Sequence, residues 1–269
     1  CGGFMLTRKK LLKLLEQPRC GEIICLEETS STNLVADRMI RDNRLPDGTV
    51  VVADTQKNGS GRLGRSFYSP GRVGLYFSYI KVLPKNAENT GLLTSFAALA
   101  VCSAVNSVCG IQPKIKWPND ILIDGKKVCG ILTKLVSDTK SNTLTHAVIG
   151  IGVNVNQTAG EFPEDLAQKA GSLRIALDRE VDRAVLCAQI ITQLDTLLLE
   201  KKALCGDASA YVIQLRSLSC TIGKTITIAA PDGEETATAL DIAPDGGLVV
   251  KTASCTKVIR SGEIDDSYR

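Results

Sequence analysis

Histidine is almost missing from this 269-residue chain, His146 being the only one. A multi-histidine metal site is therefore excluded, and a Ser/His/Asp triad would have to use His146. Its setting, Leu144-Thr145-His146-Ala147-Val148, alternates as a half-buried strand does and favours a structural role. The ten cysteines never form a C-x-x-C pair, which removes the usual zinc and redox signatures. With no signal-peptide pattern, their thiols are expected to stay reduced in the cytoplasm. No unbroken run of about eighteen apolar residues occurs, so no membrane partner is expected. An excess of one charge is missing too: 32 Lys and Arg against 29 Asp and Glu leave +3. That balance gives no ground for a nucleic-acid partner, and no DNA is expected.

What is present is the composition of a globular chain, 44% hydrophobic and 23% charged, with length for about two domains. Leucines among basic residues predict a short amphipathic helix from Leu6 to about Glu16. A second helix is expected from an N-cap at Ser30 or Ser31 to about Asn43, with Val35/Met39 and Ala36/Ile40 paired on one face. Thr49–Asp54 and Leu75–Ile80 read as strands, separated by a long glycine-rich loop. Leu92–Val108 is apolar nearly all round, which predicts a core helix stopped near Gly110. From Lys114 to Val155 the pattern is strands, mostly antiparallel, with a hairpin at Asp124-Gly125. A long helix is expected from Val181 to about Leu204 and a shorter one near Asp207–Leu215. Short alternating runs from Cys220 to Ile264, punctuated by Pro231-Asp232-Gly233 and Pro244-Asp245-Gly246-Gly247, predict a small β-barrel or sandwich.

Four segments carry residues suited to chemistry. Gly59-Ser60-Gly61-Arg62-Leu63-Gly64-Arg65 contains G-x-G-x-x-G, but Ser66-Phe67-Tyr68-Ser69-Pro70 follows where a dinucleotide fold needs a helix. Its glycines allow close backbone approach to an anion, and Arg62 and Arg65 bring guanidinium forks suited to carboxylate or phosphate. Lys116-Trp117-Pro118-Asn119-Asp120 joins the only tryptophan to hard oxygen donors of the kind Mg²⁺ prefers. Lys127-Val128-Cys129-Gly130-Ile131-Leu132 and Gly150-Ile151-Gly152-Val153-Asn154 each place glycine inside a strand, where something is expected to approach the backbone closely. Taken singly, each segment is equally well a loop or a core strand.

Taken in order, with Ser31-Thr32-Asn33 and Thr55-Gln56 ahead of them, these motifs resemble the biotin protein ligase family. The resemblance implies an α+β fold: a mixed, mostly antiparallel sheet with helices, as in class II synthetases, plus a small C-terminal SH3-like β-barrel. It implies residues 1–27 as N-terminal helix and lead-in, 28–217 as catalytic domain and 218–269 as the barrel. The implied activity is ATP-dependent ligation of biotin, through biotinyl-5′-AMP, to a lysine of the biotin carboxyl carrier domain of acetyl-CoA carboxylase or a related carboxylase, with Mg²⁺. Lys127 and Arg62 would be catalytic, bridging the biotin carboxylate and the α-phosphate. Ser31, Thr32, Asn33, Gln56, Ser60, Gly61, Trp117, Gly130 and Gly150 would complete the biotin site. Arg65, Phe67, Asn119, Asp120, Ile131 and Asn154 would serve the nucleotide, Asp120 and Asn154 holding the metal.

Two positions depart from the family pattern. Ser60 stands where some relatives carry a basic residue, and Phe67 where some carry a tryptophan that stacks on adenine. The glycine-rich loop, residues 57 to 72, is expected to fold over the adenylate. Because Ser31 comes only about thirty residues in, a monofunctional ligase without an N-terminal DNA-binding domain is expected, with homodimerisation left open. The alternatives are a lipoate or octanoate ligase on the same fold, or a non-catalytic biotin sensor.

Overall fold

Strand β2 (Thr49–Gln56) is buried along its first six residues, because both of its faces are covered. Val50 and Val52 face one core and Val51 the other, the alternation that period two requires. The computed structural model describes residues 5–15, 19–42, 45–138, 141, 143–199, 204–230, 233–262 and 264–265. The chain's first four residues, the expected helix ends at Glu16 and Asn43, the stretch from 200 to 203 and the Pro231-Asp232 half of a turn lie outside the described residues.

Seven strands form the main sheet: β1 (Ile23–Thr29), β2, β3 (Leu75–Val82), β4 (Lys114–Lys116), β5 (Asp120–Ile123), β6 (Lys126–Ser137) and β7 (Leu144–Val153). Their order is β1-β2-β3-β7-β6-β5-β4, with β1 parallel to β2 and every other pair antiparallel. Helix α1 (Arg8–Leu14) precedes the sheet, and α2 (Thr32–Asp42) covers one face through Ala36. The other face is covered by α3 (Leu93–Cys109) and, after the short α4 (Glu164–Ala167) and α5 (Leu173–Leu177), by α6 (Arg183–Leu199). Helix α3, from Thr90 through its 3₁₀ lead-in, is long and apolar enough to cross a membrane by length and composition. Here it is the core helix, with Phe96, Ala97, Ala98, Ala100 and Val101 fully buried. It ends where Gly110 takes a left-handed φ of 74° and donates its N–H to Asn106.

After α7 (Ser209–Leu218) the chain forms a five-stranded antiparallel sheet from β8 (Thr225–Ala230), β9 (Gly233–Ile242), β10 (Leu248–Lys251), β11 (Thr256–Ile259) and β12 (Ile264–Asp265), ordered β11-β10-β9-β8-β12. This small unit is stitched to the main sheet at β4. Cys220 donates its N–H to Ile115 O at 3.0 Å, and Arg216 donates to Ile242 O at 2.7 Å.

Two findings differ from the sequence reading. Strand β1 runs across the 27/28 boundary, and α1 is part of the main core through Leu11, so the lead-in belongs structurally to the catalytic domain. Helix α7 starts at Ser209, later than expected, because the Asp207 carboxylate caps it from outside by accepting the Ser209 N–H at 2.8 Å.

The N-terminal segment, β2 and α6 meet at a buried ion pair. Arg183, 4% exposed, donates to Asp54 Oδ1 and to Gly74 O, both at 2.9 Å, while the Leu6 N–H reaches Asp54 Oδ2 at 3.2 Å. Desolvation makes such a pair costly to break from one side. Arg183→Leu is expected to lower the unfolding free energy by about 3–5 kcal/mol in urea titration, and a loss under about 1 kcal/mol would contradict this role.

Candidate functional site

Beyond the N-terminus of α2 its face of the sheet is bare, because three glycines come up there together. Gly130 on β6 pairs with Gly152 on β7, and Gly150 pairs with Leu132 on one side and Ser78 on the other. The residues between them, Ile131 and Ile151, point into the α3 and α6 core, which turns the glycines toward the opposite face. These glycines floor an open cleft, about 470 Å³ of empty space counting the solvent at its mouth. A Cβ on Gly150 would come within 2.3 Å of Asn33 Oδ1, and one on Gly152 within 2.6 Å of Phe67 Cε1.

One wall is the start of α2 and the end of β2. The Thr32 N–H and hydroxyl both donate to Gln56 Oε1, at 2.8 and 3.1 Å, and Asn33 Nδ2 reaches Leu132 O at 3.4 Å. The roof is the glycine-rich loop. Ser60 pairs with Ser66, the Gly61 N–H donates to Arg65 O at 2.7 Å, and Phe67 N–H returns to Gly59 O at 2.7 Å. At its tip Leu63 holds a left-handed φ of 52°, sparsely populated for a residue with a side chain.

The opposite wall carries two cations, each met where the turn enters β5. Arg62 NH1 donates to Asn119 Oδ1 at 3.3 Å, and Lys127 Nζ lies 2.7 Å from Asp120 Oδ1. The Asn119 backbone and amide are both tied to Ile131, accepting its N–H and donating to its carbonyl at 3.0 Å each. Lys127 is bracketed by main chain, donating its N–H to Lys169 O at 2.8 Å and accepting from the Gly171 N–H at 2.9 Å.

Thirteen of the seventeen residues expected at the site line this cleft, among them Ser31, Ser60, Gly61 and Ile131. Four do not. Trp117 is 6% exposed in the core, its N–H donating to Thr221 Oγ1 and its indole Nε1 to Gly246 O, both at 3.0 Å. It joins the two domains and does not line this cleft. Asn154 is buried as well: its Nδ2 donates to Gly171 O at 2.9 Å and its Oδ1 accepts from Gln157 Nε2 at 3.3 Å. Through Gly171 it supports the backbone of Lys127 and does not face the cleft. Arg65 is exposed on the loop, and Asp120 reaches the site only through Lys127. Phe67, expected on adenine, rests its ring on Gly130 and Gly152, edge-on to Tyr76 at 6.4 Å, filling the space that the glycines leave. Gly152 and Leu132 are cleft residues that the sequence reading did not assign, although their period-two spacing from Gly150 and Gly130 carried the signal. His146, at the other end of β7, is outside the cleft.

Among the described residues no group of three or more His, Cys, Asp or Glu side chains could hold a metal ion. A Mg²⁺ held by one carboxylate together with substrate phosphates and water needs no such group, and Asp120 suits that chemistry.

Residues 25–154 match the Biotin/lipoate A/B protein ligase family and residues 221–265 the Biotin protein ligase C terminal domain. The chain is 35% identical to the Bifunctional ligase/repressor BirA of Bacillus subtilis, over 91% of its own length and 74% of that protein's. It is 28% identical to the Biotin--[acetyl-CoA-carboxylase] ligase of Mycobacterium tuberculosis, over 88% of this chain and 86% of that one. Among solved structures it resembles the biotin protein ligase of Aquifex aeolicus in complex with biotin and ATP, with a TM-score of 0.77 and 30% identity, covering 90% of this chain and 97% of that one.

Cys129, inside the Lys127 segment, turns into the core, and burial pushes its thiol well above the ordinary range. Burial also raises Cys102 to about 12 and Cys25 to about 11, whereas Cys20 and Cys255 are exposed. Reactivity follows the thiolate. With a chromogenic disulfide reagent at neutral pH, Cys20 and Cys255 are expected to react at once and Cys25, Cys102 and Cys129 only on unfolding. Prompt labelling of Cys129 would contradict this placement.

Proposed function

The chain belongs to the biotin/lipoate A/B protein ligase family, and from that membership we propose how its cleft carries the family's reaction. The enzyme activates biotin with ATP as biotinyl-5′-AMP and transfers the biotin to a lysine of a carboxylase carrier domain. In the first step a biotin carboxylate oxygen attacks the α-phosphorus and pyrophosphate leaves. In the second the carrier lysine amine attacks the acyl carbon, loses a proton, and AMP leaves.

The first step brings like charges together. At an effective dielectric near 20, two unit charges 4 Å apart repel by about 4 kcal/mol. The observation that carries the assignment of roles is the pair of cations, Arg62 and Lys127, converging on one cleft above the glycine floor. We assign them to the carboxylate and α-phosphate, fixed donors aimed where charge accumulates. Asn119 and Asp120 hold the two cations in place beforehand, and the resulting adenylate is activated enough that no enzyme nucleophile is needed. Thr32, Gln56 and Ser31 form the polar wall suited to the ureido head of biotin. Phe67 then belongs to the floor between the two substrates more than to the adenine.

Mg²⁺, when bound, would offset phosphate charge, with Asp120 as its protein carboxylate. Asn154, which does not line the cleft and whose amide is bonded to Gly171 and Gln157, is given a supporting role instead. The match of residues 221–265 to the C-terminal domain of biotin protein ligases favours biotin over lipoate. We take the division at 217/218 as a division of labour, the last part serving as the small domain that seats Trp117. The cytoplasm, where ATP and a carboxylase carrier are both met, is the compartment we propose, and the reaction as read here requires neither DNA nor a homodimer.

Mass spectrometry of a biotin carboxyl carrier domain incubated with this protein, biotin and MgATP is expected to show one added biotin, absent without ATP. Lys127→Ala or Arg62→Ala is expected to keep the fold and slow adenylate formation by ~10²–10³-fold. Near-normal turnover in either variant would overturn the assigned roles. Gly152→Ala, whose new methyl would press on the Phe67 ring, is expected to weaken biotin binding at least about tenfold, or about 1.4 kcal/mol, in calorimetry.

A further inference from the structure

Two hydroxyls behind the cleft wall are tied into it without lining it. Ser78, fully buried on β3, places its hydroxyl oxygen 2.8 Å from Thr32 Oγ1 and 2.6 Å from Asn33 Oδ1, with one proton for the two. Ser69, 6% exposed at the end of the glycine-rich loop, accepts from Gln56 Nε2 at 3.2 Å and donates to Phe67 O at 2.9 Å.

Counting protons fixes the orientation of the Gln56 carboxamide at the centre of this chain. The Thr32 backbone N–H can only donate, so the atom of Gln56 facing it must be the carbonyl oxygen. The Thr32 hydroxyl lies within hydrogen-bonding distance of both this oxygen and Ser78 Oγ, so it joins Gln56 to Ser78. The Gln56 amide nitrogen is then left facing Ser69, whose own proton goes to Phe67 O. Reversing the Gln56 carboxamide would oppose donors at Thr32 and leave buried groups unpaired, which low-dielectric surroundings penalise.

We infer that Ser78 and Ser69 are positioning residues of this ligase: a hydrogen-bonded chain, from Ser78 through Thr32, Gln56 and Ser69 to Phe67, couples the wall that receives the biotin head to the loop that carries Arg62. The inference rests on the reading of that wall given above. Its consequence is that biotin contacting Thr32 or Gln56 acts on the seating of Phe67 over Gly130 and Gly152, and through Phe67 on the loop whose two arms are joined by the Phe67 N–H bond to Gly59 O.

The test is a double-mutant cycle on the biotin dissociation constant, by calorimetry, with Ser69→Ala, Ser78→Ala and the pair. Groups with no shared partner contribute independently, and neither serine bonds the other or any group the other bonds. Coupling predicts that each single change weakens binding at least about fivefold, and that the double variant binds no more than about twofold worse than the weaker single. Multiplying single effects would overturn the chain. Ser69→Thr, which keeps the hydroxyl, is expected to bind within about threefold of the unaltered protein.

Trypsin cleavage after Arg62 and Arg65 gives a second readout that stands even if Ser78→Ala does not fold. Biotin alone is expected to slow cleavage in the unaltered protein and to leave it unslowed in Ser69→Ala at saturating biotin. Equal slowing in both would overturn the coupling. If the unaltered protein bound no biotin, the reading of the wall itself would fall, and with it this inference.

Discussion

Everything in the cleft depends on where the glycines of β6 and β7 fall relative to the pleat. Ile131 and Ile151 are locked into the α3 and α6 core, so Gly130, Gly150 and Gly152 must face the other way. A one-residue slip of either strand would carry isoleucines into the cleft and glycines into the core. The hydrophobic core thus sets the shape of the binding surface from behind. Asn33 and Phe67 then approach main chain more closely than any Cβ would permit.

On that floor the electrostatics are arranged by a single turn. Asn119 meets Arg62 and Asp120 meets Lys127, so the last residue of the turn and the first of β5 decide where two positive charges stand. The turn is itself held on both sides, by Ile131 on β6 and, through neighbouring Trp117, by Thr221 and Gly246 of the small domain. Lys127 is fixed in turn by the 169–171 segment, and Asn154 secures that segment. The cations are therefore held by bonds reaching well outside the cleft, and in the roles proposed for them this avoids reorganisation when the carboxylate and phosphate meet.

Much of this was legible in the sequence where local pattern and global packing agree. Apolar residues on every side of Leu92–Val108 announce a core helix, and glycine within strand-like runs announces a close approach. The wall and the two cations were readable from ordered motifs. Other features carry no local signature. Strand β1 is an edge strand buried mainly at Ile23, so neither alternation nor a continuous apolar run marks it. Trp117 beside a proline has no direction in sequence, and only the contact with Gly246 shows that it faces the small domain. Asn154 reads as a hard donor until its amide is seen bonded to Gly171 and Gln157. Asp54 and Arg183, 129 residues apart, and Ser78 among aromatic neighbours are visible only in three dimensions.

The central claim is that Arg62 and Lys127 receive the reacting groups above the glycine floor. A crystal structure with biotin and a non-hydrolysable ATP analogue tests it most directly. The account predicts the biotin carboxylate and the α-phosphate within hydrogen-bonding reach of both side chains, and the ureido head against Thr32 and Gln56. A carboxylate bound away from both cations, or biotin lodged beside Trp117 at the domain junction, would contradict it.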